Sequence, residues 1–167
     1  YLFVQETQIK GKAYANMIDA AEKQGTQIVS AAQNMTFTLG RARVTFIGPA
    51  RTQHTDSRDD GLTLRIDYGQ TSVVVTGCIT SNGEKEIVSS GAAVACDALI
   101  VSRGGTEAAT CAEWVEAAKP KVALITGKKP ANSVRIRLQK YGATVYAAKG
   151  TPFSFEIENG GATRTLN

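Results

Sequence analysis

Histidine is nearly absent from this chain of 167 residues, in which His54 is the only one. A metal site or catalytic site that needs a cluster of histidines is therefore not complete within these residues. Cysteine is scarce as well, with Cys78, Cys96 and Cys111 at spacings that contain no CxxC pair. These spacings argue against a structural zinc site and against a full disulfide framework. Either Cys96 pairs with Cys111 or both are buried free thiols, and the free thiols are the more common state.

The chain has no apolar run near the roughly 20 residues that a membrane-spanning helix needs. It also has no charged segment followed by an apolar one, the pattern of a signal peptide. The buried-strand pattern from Tyr1 to Val4 has nothing leading into it, so we expect the chain to be a piece of a longer protein. Charged residues make up 20% of the chain and hydrophobic residues 43%. This composition argues against disorder and against a coiled coil, and it predicts one globular domain.

Acidic residues are missing from one long segment. Between Ala117 and Phe155 the sequence has eight basic residues and no Asp or Glu, although the whole chain has a net charge of only +4. The eight are Lys119, Lys121, Lys128, Lys129, Arg135, Arg137, Lys140 and Lys149. The segment predicts either a positive surface that attracts phosphates or a solvated face whose acidic partners come from elsewhere in the fold.

Hydrophobic patterning divides the chain into two halves. The first half predicts antiparallel strands between Tyr1 and Val75, with one helix from Lys12 to Gln24. The second half predicts helices near 84–90, 109–118 and 132–141, each leading to an apolar strand, and a last strand at 153–157. We therefore predict a mixed α/β sandwich whose tail, from Asn159 onward, is frayed.

Five segments follow one another in a characteristic order: a strand pair ending at Gly48-Pro49, a hairpin from Leu62 to Gly77, the stretch Ala98 to Thr106, and two later stretches at 118–125 and 138–146. Taken together, they resemble the metallo-β-lactamase fold, and most closely the domain of ComEC-type DNA-internalisation competence proteins. The resemblance covers residues 1–161 and leaves 162–167 as a tail. It implies an α/β fold, a metallo-β-lactamase-like αββα sandwich that is partial because the amino-terminal portion with the first metal motif is absent.

The family's metal-ligand positions carry unsuitable residues in this sequence. Cys78 replaces the aspartate of the family's Gly-Asp, and Arg103 and Gly104 replace its His-His pair. A guanidinium stays protonated, glycine has no donor atom, and a single thiolate makes a poor zinc site. We interpret Cys78 as a small buried residue at the end of a strand. No catalytic residue and no cofactor are expected, and zinc or manganese would be bound only if ligands upstream of Tyr1 completed a site.

The resemblance and the altered ligand positions together predict a degenerate module that binds or scaffolds in DNA uptake instead of hydrolysing. The residues predicted to bind DNA or another anion are Arg103, Lys128, Lys129, Arg137 and Lys140. Expected partners are DNA, bound without sequence preference, and either the rest of a larger membrane protein or a second copy. The module would lie on the extracytoplasmic side of the membrane if it is part of such a protein, and otherwise in the cytoplasm. A portion of a metal-dependent phosphodiesterase and a purely structural packing module are the alternatives.

Three other local patterns give weaker indications of function. The glycine-rich stretch Arg103 to Thr106 follows a strand and precedes a helix, so its amides are candidates for an anion site, although a simple glycine turn is the favoured interpretation. Ser102, Thr106 and Cys111 are nucleophile candidates without an assignable base, because His54 is remote in sequence. Trp114 is predicted to pack in the core.

Overall fold

The structure is a computed structural model that describes residues 1–5, 11–148, 154–158 and 161–165. Strands β1 (Leu2–Val4) and β2 (Ile28–Ser30) form a small sheet. A seven-stranded sheet follows, with its strands in chain order. They are β3 (Thr36–Leu39), β4 (Ala42–Gly48), β5 (Thr63–Tyr68), β6 (Thr71–Val75), β7 (Ala98–Ile100), β8 (Val122–Ile125) and β9 (Thr144–Ala147). The last pair, β10 (Ser154–Glu158) and β11 (Gly161–Thr165), is a separate hairpin.

Within the described residues, four α-helices connect these strands, and two of them begin at different residues from those predicted. They are α1 (Lys12–Lys23), α2 (Ser81–Ser89), α3 (Ala112–Ala118) and α4 (Asn132–Lys140). Helix α2 begins before the predicted residue 84 because the Thr80 hydroxyl caps it, accepting from the amide of Asn82. Helix α3 begins after the predicted residue 109 because Thr110 has a φ of +60°, which is incompatible with a right-handed helix.

The large sheet changes from antiparallel to parallel pairing at β6. Strands β3 to β6 are antiparallel, and they include the predicted hairpin, which turns at Gly69 with a φ of +58°. Strands β6 to β9 are parallel, because each connection carries the chain back along a helix to the starting edge. The predicted mixed α/β architecture is therefore present.

Two expectations about the ends of the chain are wrong. β1 and β2 pair in parallel, not antiparallel, because α1 lies between them and returns the chain to the same edge. The predicted frayed tail contains β11, which pairs with β10 in antiparallel fashion. Phe153, the first residue of the predicted last strand, lies outside the described residues, and so does Lys149 of the basic segment.

The main core lies between one face of the large sheet and helices α2 to α4. Val74, Leu99 and Trp114 are fully buried in it, which confirms the predicted role of the tryptophan. The predicted buried free thiols are also there, and burial raises the pKa of both Cys96 and Cys111 to about 12. The opposite face of the sheet holds a smaller cluster around Ala98, Val122 and Leu124. None of the described helices is both long and apolar enough to cross a bilayer.

Candidate functional site

Three loops meet at the edge of the sheet where β6, β7 and β8 end. The backbone amide of Arg103, after β7, donates to the carbonyl of Gly77, after β6, at 3.0 Å. The amide of Ala131, which precedes α4, donates to the carbonyl of Gly105 at 2.8 Å. The carboxyl ends of parallel strands are where α/β proteins build binding sites. We call residues 76–79, 102–107 and 126–131 the loop edge.

Glycine allows two of these loops to touch. A side chain at Gly127 would collide with the carbonyl oxygen of Gly104, so the loops after β7 and β8 pack backbone against backbone. Arg103, Gly104 and Gly105 all have positive φ, and the amide of Gly105 donates to the carbonyl of Ser102. The amides of Arg103 and Gly105 are therefore already used within the loops. This arrangement supports the interpretation of the stretch as a glycine turn.

The structure brings three of the five predicted anion-binding residues to the loop edge. Arg103 is half-buried there, and Lys128 and Lys129 are exposed. Arg137 lies further along α4 and donates from Nη1 to the carbonyl of Thr110 at 2.5 Å. Lys140 is the last residue of α4, about 12 Å along the axis from its first residue. Arg137 and Lys140 therefore lie further along α4 than the loop that carries Lys128 and Lys129.

The loop edge has an excess of positive charge. In the described parts of the chain, Arg103, Lys128 and Lys129 form no ion pair. The nearby acid Glu107 accepts a hydrogen bond from the Ser133 hydroxyl at 3.0 Å, at the start of α4.

A second acid, Asp56, is close enough to respond to the charge of Arg103. Hydrogen bonds from Arg58 are the main cause that lowers the pKa of Asp56 to about 2, and the charge of Arg103 contributes. The charge of Asp56 is therefore already balanced by Arg58, and the loop edge keeps its positive excess.

The residues at the family's ligand positions do not fit a metal ion. Cys78 is exposed, not buried as predicted, because Gly77 with a φ of +62° turns the chain outward at the end of β6. The protonated guanidinium of Arg103 has no free lone pair for a metal ion, and Gly104 has no side chain to coordinate one. Across the described ranges, no group of three or more His, Cys, Asp or Glu residues is placed to hold a metal.

A polar cavity of about 680 Å³, which the sequence did not reveal, lies between the loop at 50–61 and α2. It is lined by Arg51, His54, Thr55, Asp56, Ser57, Asp59, Asn82, Lys85 and Glu86. The His54 side chain is only 3% exposed, and its ring lies between the carboxylates of Asp60 and Glu86. No pattern signals this contact, because 32 residues separate His54 from Glu86.

Two buried carboxylates, one lining this cavity and one facing the start of α3, were also missed. Asp59 accepts from the amide of Thr80 at 2.6 Å and from its hydroxyl at 2.8 Å. Glu84 accepts from the amides of Thr110 at 2.6 Å and Cys111 at 2.8 Å, at the start of α3. Burial raises the pKa of Glu84 to about 7, although those two hydrogen bonds act in the opposite direction. Both carboxylates satisfy backbone donors, which is a structural role.

Comparisons with known proteins give the fold and not a family. No protein-family model and no curated protein matches the chain. The solved structure of the CmlA beta-hydroxylase E377D mutant is similar, with a TM-score of 0.54 and 14% identity over 87% of this chain and 37% of that one. The diiron beta-hydroxylase CmlA from Streptomyces venezuelae matches with a TM-score of 0.53 and 11% identity, over 86% and 37%.

This chain therefore corresponds to little more than a third of the length of CmlA. The metallo-beta-lactamase fold protein YhfI from Bacillus subtilis matches with a TM-score of 0.46 and 19% identity, over 85% of this chain and 65% of that one. None of the three is named as a DNA-internalisation protein, so the ComEC-type kinship stays a prediction. The predicted fold class, mixed α/β with a large sheet, is confirmed.

Proposed function

We propose that this chain is a non-catalytic, metallo-β-lactamase-like module of ComEC type that binds the phosphates of DNA at the loop edge. The observation that carries the proposal is the convergence of Arg103, Lys128 and Lys129 at the ends of β7 and β8. The edge to which the resemblance assigns metal ligands thus carries positive charge. Cations of this kind contact the backbone of DNA and read no sequence.

The local geometry suits phosphate. Arg103 is held by the hydrogen bond from its amide to Gly77, so its guanidinium starts from a fixed backbone position. A guanidinium donates to phosphate through two parallel hydrogen bonds, whereas Lys128 and Lys129 act as mobile point charges. The amino-terminal end of α4 lies against Gly105 and adds its positive partial charge.

The nucleophile candidates argue against a hydrolase within the described residues. The Ser102 hydroxyl is buried and donates to the carbonyl of Ile79 at 2.6 Å, and the Cys111 thiol is buried with a raised pKa. His54 is not an available base for Thr106, because both of its ring nitrogens contact carboxylates. His54 therefore serves none of these three candidates as a base. The Cys111 thiol lies against the carboxyl of Glu84, whose charge raises the pKa of the thiol in addition to burial and so does not activate it.

The biological setting of the proposal comes from the sequence resemblance. A ComEC-type module would hold incoming DNA beside the rest of a larger membrane protein, on the extracytoplasmic side.

The test is DNA binding as a function of salt. A labelled DNA oligonucleotide and a scrambled-sequence version of it are titrated with the protein between about 50 and 200 mM salt. We expect equal affinity for both and a plot of log K against log salt with a slope of about −2.7, the value for three neutralised phosphates. The triple variant R103Q/K128Q/K129Q should lose most of the affinity and most of that slope.

The matched control removes three positive charges elsewhere, in the variant K12Q/R41Q/K140Q, and should bind nearly as the parent does. No binding by the parent at low salt, or equal losses in the two triple variants, would contradict the proposal. Cleavage of the oligonucleotide by the parent after addition of zinc or manganese would show instead that the module is catalytic.

A further inference from the structure

The only histidine joins the loop at 50–61 to α2. Its Nδ1 lies 2.8 Å from Oδ1 of Asp60, and its Nε2 lies 2.8 Å from Oε2 of Glu86. The backbone amide of His54 also donates to Oδ1 of Asp60, at 3.1 Å. The side chain is 3% exposed, so water does not substitute for either carboxylate. Both ring nitrogens therefore depend on these two contacts.

The chemistry of imidazole determines how many of these contacts are hydrogen bonds. A carboxylate only accepts, and a neutral imidazole has a single N–H, so it donates to one carboxylate and presents a lone pair to the other. The imidazolium form has two N–H groups and donates to both. Only the protonated ring makes both of the 2.8 Å contacts as hydrogen bonds.

We propose that His54 is a pH-responsive clamp that, as an imidazolium, adds a second tie between the loop at 50–61 and α2 beside the Arg51–Glu86 pair and, on losing its Nε2 proton, gives up its own bond to Glu86 and loosens the wall of the polar cavity. The bond to Asp60 survives deprotonation, because the second tie from the His54 amide holds Asp60 in place. The bond to Glu86 does not survive, because the Nε2 lone pair then faces a negative oxygen.

The charged groups around the clamp come from both elements. Asp60 and Arg51 face His54 from the loop, and Glu86 faces it from α2. Arg51 donates to both oxygens of Glu86 at 2.9 Å, so it holds the carboxylate in position and also repels the imidazolium. Asp59 is turned away, toward Thr80.

The balance of these groups gives the direction of the pH response. Burial lowers the pKa of His54, but the hydrogen bonds to Asp60 and Glu86 outweigh burial, so the net pKa lies above its usual value. The clamp is therefore complete below the usual pKa of about 6.5 and is lost as the pH rises through the higher pKa of the folded protein.

The experiment is a pH titration of the imidazole by NMR, in which the signals belong to His54 alone because the chain has one histidine. We expect a pKa above about 6.5 that falls in the variant E86Q, since glutamine offers a donor as well as an acceptor to Nε2. The control E113Q removes an acid that pairs with Lys85 on the neighbouring helix, and it should leave the titration unchanged.

Hydrogen exchange supplies the second readout. After correction for intrinsic exchange rates, the protection of the amides at 50–61 should fall as the pH rises. The fall should be about tenfold for each unit by which the pKa of His54 in the folded protein exceeds its pKa in the unfolded protein. The variant E84Q controls for the buried Glu84, which titrates in the same range. A His54 pKa at or below its usual value, the same pKa in E86Q, or pH-independent protection would overturn the proposal.

Discussion

Two groups of charged residues differ in how their charges are satisfied. The charged side chains beneath α2 are buried, apart from a half-buried Glu86, and each carboxylate has a hydrogen-bond partner within 3 Å. They are Asp59, Asp60, Glu84, Glu86 and His54. We call these residues the α2 cluster. At the loop edge, Arg103, Lys128 and Lys129 have no acidic partner among the described residues. The first group faces the protein, whereas the second faces solvent.

The difference separates stability from binding. A buried carboxylate that accepts two backbone hydrogen bonds stabilises the fold, because its removal leaves donors without partners. An exposed cation without an ion pair adds little to stability and remains available to a phosphate. Changes in the α2 cluster should therefore alter unfolding and leave DNA binding intact. Charge changes at the loop edge should do the reverse.

The largest effect expected is a pH dependence of stability that comes from Glu84. In the unfolded protein this carboxyl loses its proton near its usual pKa of 4.5, whereas in the folded protein it keeps the proton to about pH 7. In that interval the folded state binds more protons, so the free energy of unfolding falls as the pH rises, by up to about 1.4 kcal/mol per pH unit. Urea unfolding between pH 5 and 6.5 should show this decrease, and E84Q should abolish it. A flat profile in the parent would contradict the prediction.

Removing the same carboxylate should cost nearly as much. The substitution Glu84→Ala leaves the amides of Thr110 and Cys111 without an acceptor at the start of α3, and we expect a loss of about 3 kcal/mol at pH 5, where the folded parent still keeps the carboxyl protonated. Chemical denaturation measures it. The control Glu113→Ala removes an exposed acid on the same helix and should cost no more than about 0.5 kcal/mol. Equal losses in both variants would show that burial of Glu84 is not the cause.

The sequence predicted one of these regions much better than the other. The ends of parallel strands meet at one edge whatever the side chains are, so the alternation of strand and helix placed Arg103, Lys128 and Lys129 together. The spacing of three residues in a helix placed Arg137 and Lys140 on one face of α4, but it did not place them beside the loop edge. Arg103, Lys128 and Lys129 lie close together because of the order and direction of the strands, which the sequence pattern predicts.

The α2 cluster was not predictable, because its contacts join residues distant in the chain. In the sequence, Glu84 looks like any acid near the start of a helix, and its partner amides lie 26 and 27 residues later. The parallel pairing of β1 with β2 was missed for a similar reason, since alternation identifies a strand but not its neighbour. The hairpin of β5 and β6 was predictable because its turn, at Gly69, is local.

The third prediction concerns the fixed geometry of the loop edge. The substitution Gly127→Ala places a methyl group against the carbonyl oxygen of Gly104 and forces the loops after β7 and β8 apart. We expect a loss of about 2 kcal/mol in the free energy of unfolding, the cost of inserting a methyl group into a packed contact, and weaker DNA binding. Gly11→Ala is the control, because nothing lies within 4 Å of the added carbon. Since Gly11 is the N-cap of α1, this variant should lose up to about 1 kcal/mol and leave DNA binding unchanged. Unchanged stability and binding in the Gly127 variant would show that the contact of the two loops is unimportant.

The smallest effect expected comes from the acid at the loop edge. Glu107 accepts a hydrogen bond from Ser133 beside the start of α4, near the three cations. The substitution Glu107→Gln keeps an acceptor for Ser133 and removes one negative charge, so it should strengthen DNA binding about threefold at low salt without changing stability. Because the charge is exposed, the gain should shrink as salt is added. Glu22→Gln, an equal change of charge on α1, should leave binding unchanged. A gain of the same size in both variants would mean that DNA responds to the net charge of the protein and not to the loop edge, and weaker binding in the Glu107 variant would place the DNA elsewhere.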